Sequence, residues 1–350
     1  MVPNMNPQNV LKEILNKQQP FECSVQVAEL KTRFVKILSR VLKGTISPSD
    51  SETLSELLNI TYQHFSRKNC DYETSLIYRT LYTDVAITMS CCHLLQETND
   101  PNKDQFACLL SAIQGLDRAI VFAGAPDRLD LAHYLIETLQ CQYSTPKSAV
   151  YGSLLENATS GRQQYGPTVI QVPQVHLENL LSSGLSTPFI IPGAISDWPA
   201  ISDPDHAWNS VDYLLSVSGP GRIVPIEMGN DYRVDGWSQQ MMPWMDFLCW
   251  LRMHDGTRKD EMVYLAQHSL LTQFPKLRDD ILIPDLVYIV PNTREAGHKP
   301  PANEDGLIIN AWLGPKGTIS PAHKVRFHLY PSFKCSTVIF SLGPVLQLLR

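Results

Sequence analysis

The stretch Ile308–His323, IINAWLGPKGTISPAH, decides how the rest of the chain is to be taken. Its first part, Ile308 to Leu313, is apolar and β-rich and predicts a strand. Gly314-Pro315-Lys316-Gly317 predicts a turn. A second strand is then expected to deliver His323. A lone histidine at a strand end is more often structural than a ligand, and a serine before proline is more often a turn residue. The stretch alone therefore fixes a strand–turn–strand unit and leaves its chemistry open.

Further pieces extend it. They are PFIIPGAISDWPA (Pro188 to Ala200), VPIEMG (Val224 to Gly229), GWSQQMM (Gly236 to Met242), YLAQH (Tyr264 to His268) and FPKLRDDILIPD (Phe274 to Asp285). In this order and spacing, with Ile309 to His323 last, they resemble the JmjC (jumonji C) family of iron(II)- and 2-oxoglutarate-dependent oxygenases. The likeness covers about residues 70 to 323, its helical part (Tyr78 to Leu139) weakly. It implies a cupin-type double-stranded β-helix barrel, iron(II) and 2-oxoglutarate as cofactors, and a protein or peptide substrate offering an arginine or methyl-lysine side chain. It also implies a nuclear location, with the cytoplasm open as well.

Non-haem iron in such enzymes is held on one face by two histidines and a carboxylate, leaving positions for co-substrate and oxygen. A His-x-Asp pair suits a strand because residues i and i+2 point to the same side. By resemblance, His323 is the first metal ligand, and Tyr264 and Ser320 bind the 2-oxoglutarate carboxylate through their hydroxyls. Position 325, where the family has aspartate, is valine, and no Asp or Glu follows Asp305. His328 falls at an odd offset from His323. No residue is therefore assigned a catalytic role, and metal binding by this chain is in doubt. The simpler readings are that Tyr264 is a core tyrosine, that Trp198, Trp237 and Trp312 are core, and that His268 is a buried, hydrogen-bonded histidine. Nothing resembles a nucleophile elbow or a phosphate-cradling glycine loop.

Residues 324–350, KVRFHLYPSFKCSTVIFSLGPVLQLLR, do not resemble the family. Lys324-Val325-Arg326 can be encoded with the splice-donor pattern AG|GTAAG. The expectation is a C-terminally truncated chain, ending in retained-intron read-through or a gene-model error. Ile308 to His323 is then expected to form an unpaired sheet edge. Residues 300 to 350 are expected to have low stability, with the apolar run from Val338 to Leu349 standing in as a strand or helix or remaining loose.

Upstream, residues 1–145 predict an all-α domain. Val27, Leu30, Phe34, Ile37, Leu38 and Val41 recur at helical spacing across Val25 to Leu42. Gly44 and Pro48 predict a break, with a helix starting at Ser51. Tyr72 to Leu95 and Asp104 to Phe122 predict two further helices. Gly124 ends the second, and Pro126 is placed in the first turn of the next. Residues 146–166, rich in Ser, Gly and Thr, predict a linker. Residues 167–323 are assigned to an incomplete barrel and 324–350 to an unrelated tail, so the fold class is α+β. Short strands are expected at Val169 to Val172, Thr187 to Gly193, Arg222 to Met228 and Met262 to Ala266. Helices are expected around His176 to Leu181 and over Met242 to Arg252.

Composition sets the outer limits. Of 350 residues, 43% are hydrophobic and 18% charged, which is a folding composition. The net charge of −6 argues against direct nucleic-acid binding, which needs a basic footprint. Eight cysteines lie without a C-x-x-C pair, so reduced thiols are expected. No signal peptide and no membrane span are expected from the apolar runs.

Overall fold

The computed structural model describes residues 6–18, 24–96, 105–142, 152, 154, 170–171, 189–190, 193–229, 237–253, 262–284, 309–315, 318, 339–341 and 346–349. The chain divides into two compact units. One comprises Met1–Ser148 with Gly219–Val224, the other Ala149–Ser218 with Pro225–Arg350.

The first unit is helical, with α1 (Pro7–Asn16), α2 (Val25–Leu42), α3 (Pro48–Phe65), α4 (Tyr72–Gln96), α5 (Gln105–Arg118) and α6 (Leu129–Cys141). Helix α2 buries the six residues that the spacing singled out. The expected break lies between α2 and α3, but α3 starts at Pro48 and not at Ser51, since the missing N–H of proline costs nothing in the first turn. Ser47 is the cap, and the Asp50 carboxylate accepts its backbone N–H at 2.9 Å. Helix α4 runs through the core and is buried on several sides, at Leu81, Val85, Ala86, Ile87 and Cys91. Its buried hydroxyls turn back on their own helix, Thr83 to the Arg79 carbonyl at 2.9 Å and Thr88 to the Asp84 carbonyl at 2.8 Å.

Helix α5 continues as one π-helical turn, Ala119–Ala123, closed by Gly124 at φ 73°. Phe106–Ala123 is long and apolar enough by composition to cross a membrane, contrary to the sequence expectation. It is a core element here, burying Leu109, Ala112, Ile113 and Leu116. Pro126 also differs from expectation. Ala125 (φ 42°) and Asp127 (φ 54°) on either side of it take left-handed conformations, so the next helix opens only at Leu129.

The second unit is built on strands. A two-residue parallel pair joins β1 (Ile170–Gln171) to β2 (Phe189–Ile190). Two helices that the sequence did not announce follow, α7 (Pro199–Ser202) and α8 (Val211–Ser218). The main sheet contains β3 (Ile223–Met228), β4 (Ser238–Pro243), β5 (Val263–His268), β6 (Asn310–Leu313), β7 (Ile339–Ser341) and β8 (Leu346–Leu349), in the order β4-β3-β5-β6-β8-β7. β3/β5, β5/β6, β6/β8 and β7/β8 are antiparallel. An open antiparallel sheet with a helical region before it agrees with a cupin/JmjC fold. β4 was missed because its residues are mostly exposed and polar; α9 (Trp244–Met253) begins only after it.

β6 is not an edge. It pairs with β5 on one side, and on the other Asn310 to Leu313 register against Leu349 to Leu346 of β8. The apolar tail thus serves as a strand, which overturns the expected unpaired edge. The expected helix near His176 and the second strand of the opening stretch lie outside the described residues.

Candidate active site

Tyr264 is placed by β5, where the alternation of buried Val263 and Leu265 puts it on the other face of the strand. Across the sheet it registers with Glu227 of β3. Burial pushes the Tyr264 phenol well above its ordinary range, and the Glu227 carboxylate pushes it the same way. The hydroxyl is therefore a neutral donor at any physiological pH. Glu227 accepts from the Trp237 indole and the Gln239 amide, each at 3.3 Å. Trp237 is half-exposed, so it is not the core residue that its type suggested. Trp198 and Trp312 are buried.

The turn after β6 closes over this tyrosine. The Pro315 carbonyl accepts from the Thr318 N–H at 3.2 Å and from its hydroxyl at 2.8 Å. A Cβ on Gly314 would stand 2.6 Å from Tyr264 Cδ2 and 2.7 Å from Thr318 Oγ1, so only glycine lets the ring lie against the backbone there. Ser320 and His323, the other two residues singled out by resemblance, lie outside the described residues.

His268 ends β5, and its direction is set by an irregularity. Gln267 has φ 46°, and the β5/β6 register shifts between Leu265 and His268. Such a bulge turns the following side chain to the other face. The buried ring points its Nε2 at Gln273 Oε1, 2.6 Å away. A ring nitrogen that donates to an amide oxygen carries a proton and has no lone pair for a metal. This is the hydrogen-bonded histidine that the sequence favoured.

A second polar cluster went unsuspected. The carboxylate of Asp280, fully buried at the end of the 3-10 helix Pro275–Asp280, accepts from Trp208 Nε1 at 2.7 Å and Tyr213 OH at 2.6 Å. His206 Nδ1 stands 2.7 Å from its other oxygen. The signal was present in the paired acids of FPKLRDDILIPD, but nothing in the sequence tells which of them is buried.

Among the described residues, no three of His, Cys, Asp and Glu come together to hold a metal. At position 325 a valine has no lone pair to give. The donors among the described residues do not assemble a site of two histidines and one carboxylate.

An antiparallel sheet of this order, preceded by a helical region, is consistent with a cupin-like domain. Residues 177–328 match the family model described as a cupin-like domain, and with its curated relatives this part of the chain is a cupin-like JmjC domain. Among its curated relatives is lysine-specific demethylase 8 of Danio rerio, 41% identical over 159 residues, 44% of this chain and 35% of that one. Jumonji C domain-containing protein 5 of Drosophila melanogaster is 31% identical over 269 residues, 74% of this chain and 59% of that one. JmjC domain-containing protein D of Dictyostelium discoideum is 34% identical over 153 residues, 43% and 33% of the two chains. The chain thus spans between a third and three-fifths of the length of these relatives. JmjC proteins generally depend on iron(II) and 2-oxoglutarate.

Proposed function

We infer that this chain has the architecture of a JmjC iron(II)- and 2-oxoglutarate-dependent oxygenase, the line that hydroxylates peptidyl arginine or demethylates methyl-lysine, and that as it stands it is non-catalytic. The observation that carries the second half is Val325. It lies inside the span matched by the cupin-like family model, two residues after His323. An iron centre of this type needs a carboxylate there, and one imidazole cannot replace it.

Several residues retain the roles that the family likeness gives them. Tyr264, neutral and half-buried beneath Gly314, is suited to donate to a 2-oxoglutarate carboxylate, with Ser320 as a second hydroxyl donor. His323 is the surviving ligand position. The substrate is a protein, in keeping with relatives named as lysine demethylases, and the setting is the nucleus. Residues 1–145 form the helical domain, 146–166 the linker and 167–323 the oxygenase portion.

A second reading, a helical binding or scaffold chain, draws support from the first unit. That unit has an extensive core of its own, from Val10 to Leu139.

The test is direct. The purified chain, incubated with iron(II) and 2-oxoglutarate, is expected to form no succinate above a protein-free control. It is also expected to show no iron-dependent change in thermal stability. Succinate production that disappears in a His323→Ala chain would show that the metal site is completed after all.

A further inference from the structure

Six residues distant in sequence complete the helical unit. Gly219-Pro220-Gly221-Arg222-Ile223-Val224 packs within it, about a hundred positions from its principal anchor on α5. That anchor is Asp117, fully buried, facing Arg222, whose side chain is 5% exposed. Arg222 Nε lies 3.0 Å from both carboxylate oxygens, and Nη2 donates to Oδ1 at 2.7 Å. The Ile223 backbone N–H donates to Oδ2 at 2.9 Å. One carboxylate thus holds both a side chain and the backbone of the next residue.

The rest of the segment is fitted as closely. Gln140 Nε2 donates to the Pro220 carbonyl at 2.8 Å. Gly219 and Gly221 have φ of 71° and 79°, where side chains are strained. A Cβ on Gly219 would fall 2.5 Å from Gln140 Oε1, and one on Gly221 3.1 Å from Leu110 and 3.2 Å from Ile113. Backbone conformation, close approach, a carbonyl contact and a forked ion pair all select the same short sequence. A planar guanidinium satisfies two oxygens of a dry carboxylate at once, which an ammonium does not.

We propose that the Asp117 pocket is a guanidinium-recognising site for a Gly-x-Gly-Arg segment, occupied in this chain by its own Gly219–Val224. The pocket is selective for the fork of the guanidinium and for glycine at both flanking positions. Ile223 and Val224 also open β3, so the same carboxylate fixes where that strand begins.

Chemical rescue in the full chain tests it. Arg222→Ala removes the guanidinium and leaves a cavity beside Asp117. Amide exchange at Ile223 is expected to accelerate on the order of 10- to 100-fold, the range that a charge-assisted hydrogen bond commands. Ethylguanidinium is expected to reverse this saturably, ethylammonium at equal ionic strength is not, and Asp117→Asn in the same chain is expected to abolish the rescue. Unchanged exchange at Ile223, equal rescue by both cations, or rescue that survives Asp117→Asn would each overturn the proposal. Should Arg222→Ala not fold, Gly221→Ala keeps the ion-pair partners and displaces the segment sterically. It is expected to speed exchange at Ile223 while amides in the middle of α4 stay protected, and equal acceleration at both places would count against a seated segment.

Discussion

Replacing Asp280 with asparagine removes one carboxylate oxygen and puts an amide NH2 in its place. Two donors, from Trp208 and Tyr213, and the Nδ1 of His206 converge on that group. An asparagine keeps one acceptor oxygen and carries no charge, so the indole and phenol donors lose a charged acceptor, and a protonated His206 would face an amide NH2. Hydrogen bonds to a charged acceptor contribute roughly 1.5–3 kcal/mol each and are not additive. A loss of about 1.5–3 kcal/mol is therefore expected, carried by the indole and phenol contacts, because the His206 side of the cluster is 46% exposed. The perturbation has a pH signature as well. Asp280's hydrogen bond raises the pKa of His206 above its ordinary value, against the opposing effect of desolvation, with the charges of Asp280, Asp203 and Asp205 adding to the rise. The protonated ring is thus favoured in the fold. Its contribution is complete below about pH 6.5 and is lost as pH rises through the higher folded value. The imidazole is 46% exposed, so the two outer aspartates act through water and matter less. Urea unfolding followed by tryptophan emission, from about pH 5 to about pH 9, reads both effects. Wild type should lose stability across the upper half of that range, and the Asp280→Asn chain should start lower and lose less. Equal slopes in the two chains would refute the assignment of the pH dependence to this contact.

Three other outcomes follow from single contacts. Arg40, together with Ser47, holds the Asp50 carboxyl at about 2, so its contribution is present above its ordinary pKa and lost as pH falls through that value. Because Arg40 is half-exposed, solvent screens part of this contribution, and an Asp50→Asn chain should show a flatter acid melt by helical circular dichroism. Gly314→Ala drives a methyl into the ring of Tyr264, so a loss of about 1–3 kcal/mol is expected as a lower urea midpoint at unchanged slope; an unchanged midpoint would mean that the turn does not press on the ring. Deleting residues 346–350 strips Asn310–Leu313 of the backbone partners supplied by β8, and light scattering should then register new self-association through the bared strand.

The helices were the most legible part of the chain. A core stripe at helical spacing is written in side chains, and α2 and α4 lie close to where Val25 to Leu42 and Tyr72 to Leu95 placed them. Proline was the residue most often misjudged. Its fixed φ suits a helix start as well as a break, and only the Ser47–Asp50 cap tells the two apart at Pro48. At Pro126 the decisive facts are the left-handed neighbours Ala125 and Asp127, for which alanine gives no hint. The same holds for the bulge at Gln267 that aims His268 at Gln273. In the candidate site, Tyr264 could be singled out from its flanking motif. Glu227 and Asp280 could not, because their importance lies in what crosses the sheet or converges from distant segments. Arg222 and Asp117 were likewise silent, being 105 residues apart.

The proposed separation of fold from chemistry in this chain has a physical reason. A strand needs apolar, β-branched residues at the right period, and many residues meet that need. Valine at 325 is a strong strand former that leaves the pattern of the segment intact while removing its oxygen donor. The sheet is equally permissive at β6. Leu346–Leu349 lies in a segment without likeness to the family, and it still pairs residue for residue with Asn310–Leu313, because a ladder is made of backbone groups that every residue except proline supplies. A metal centre has no such tolerance, since each ligand is one particular side chain at one position. A chain can therefore keep the family's architecture through many substitutions and lose its reaction through one. The family likeness is evidence for the cupin-like sheet, and the donor at position 325 must be judged on its own.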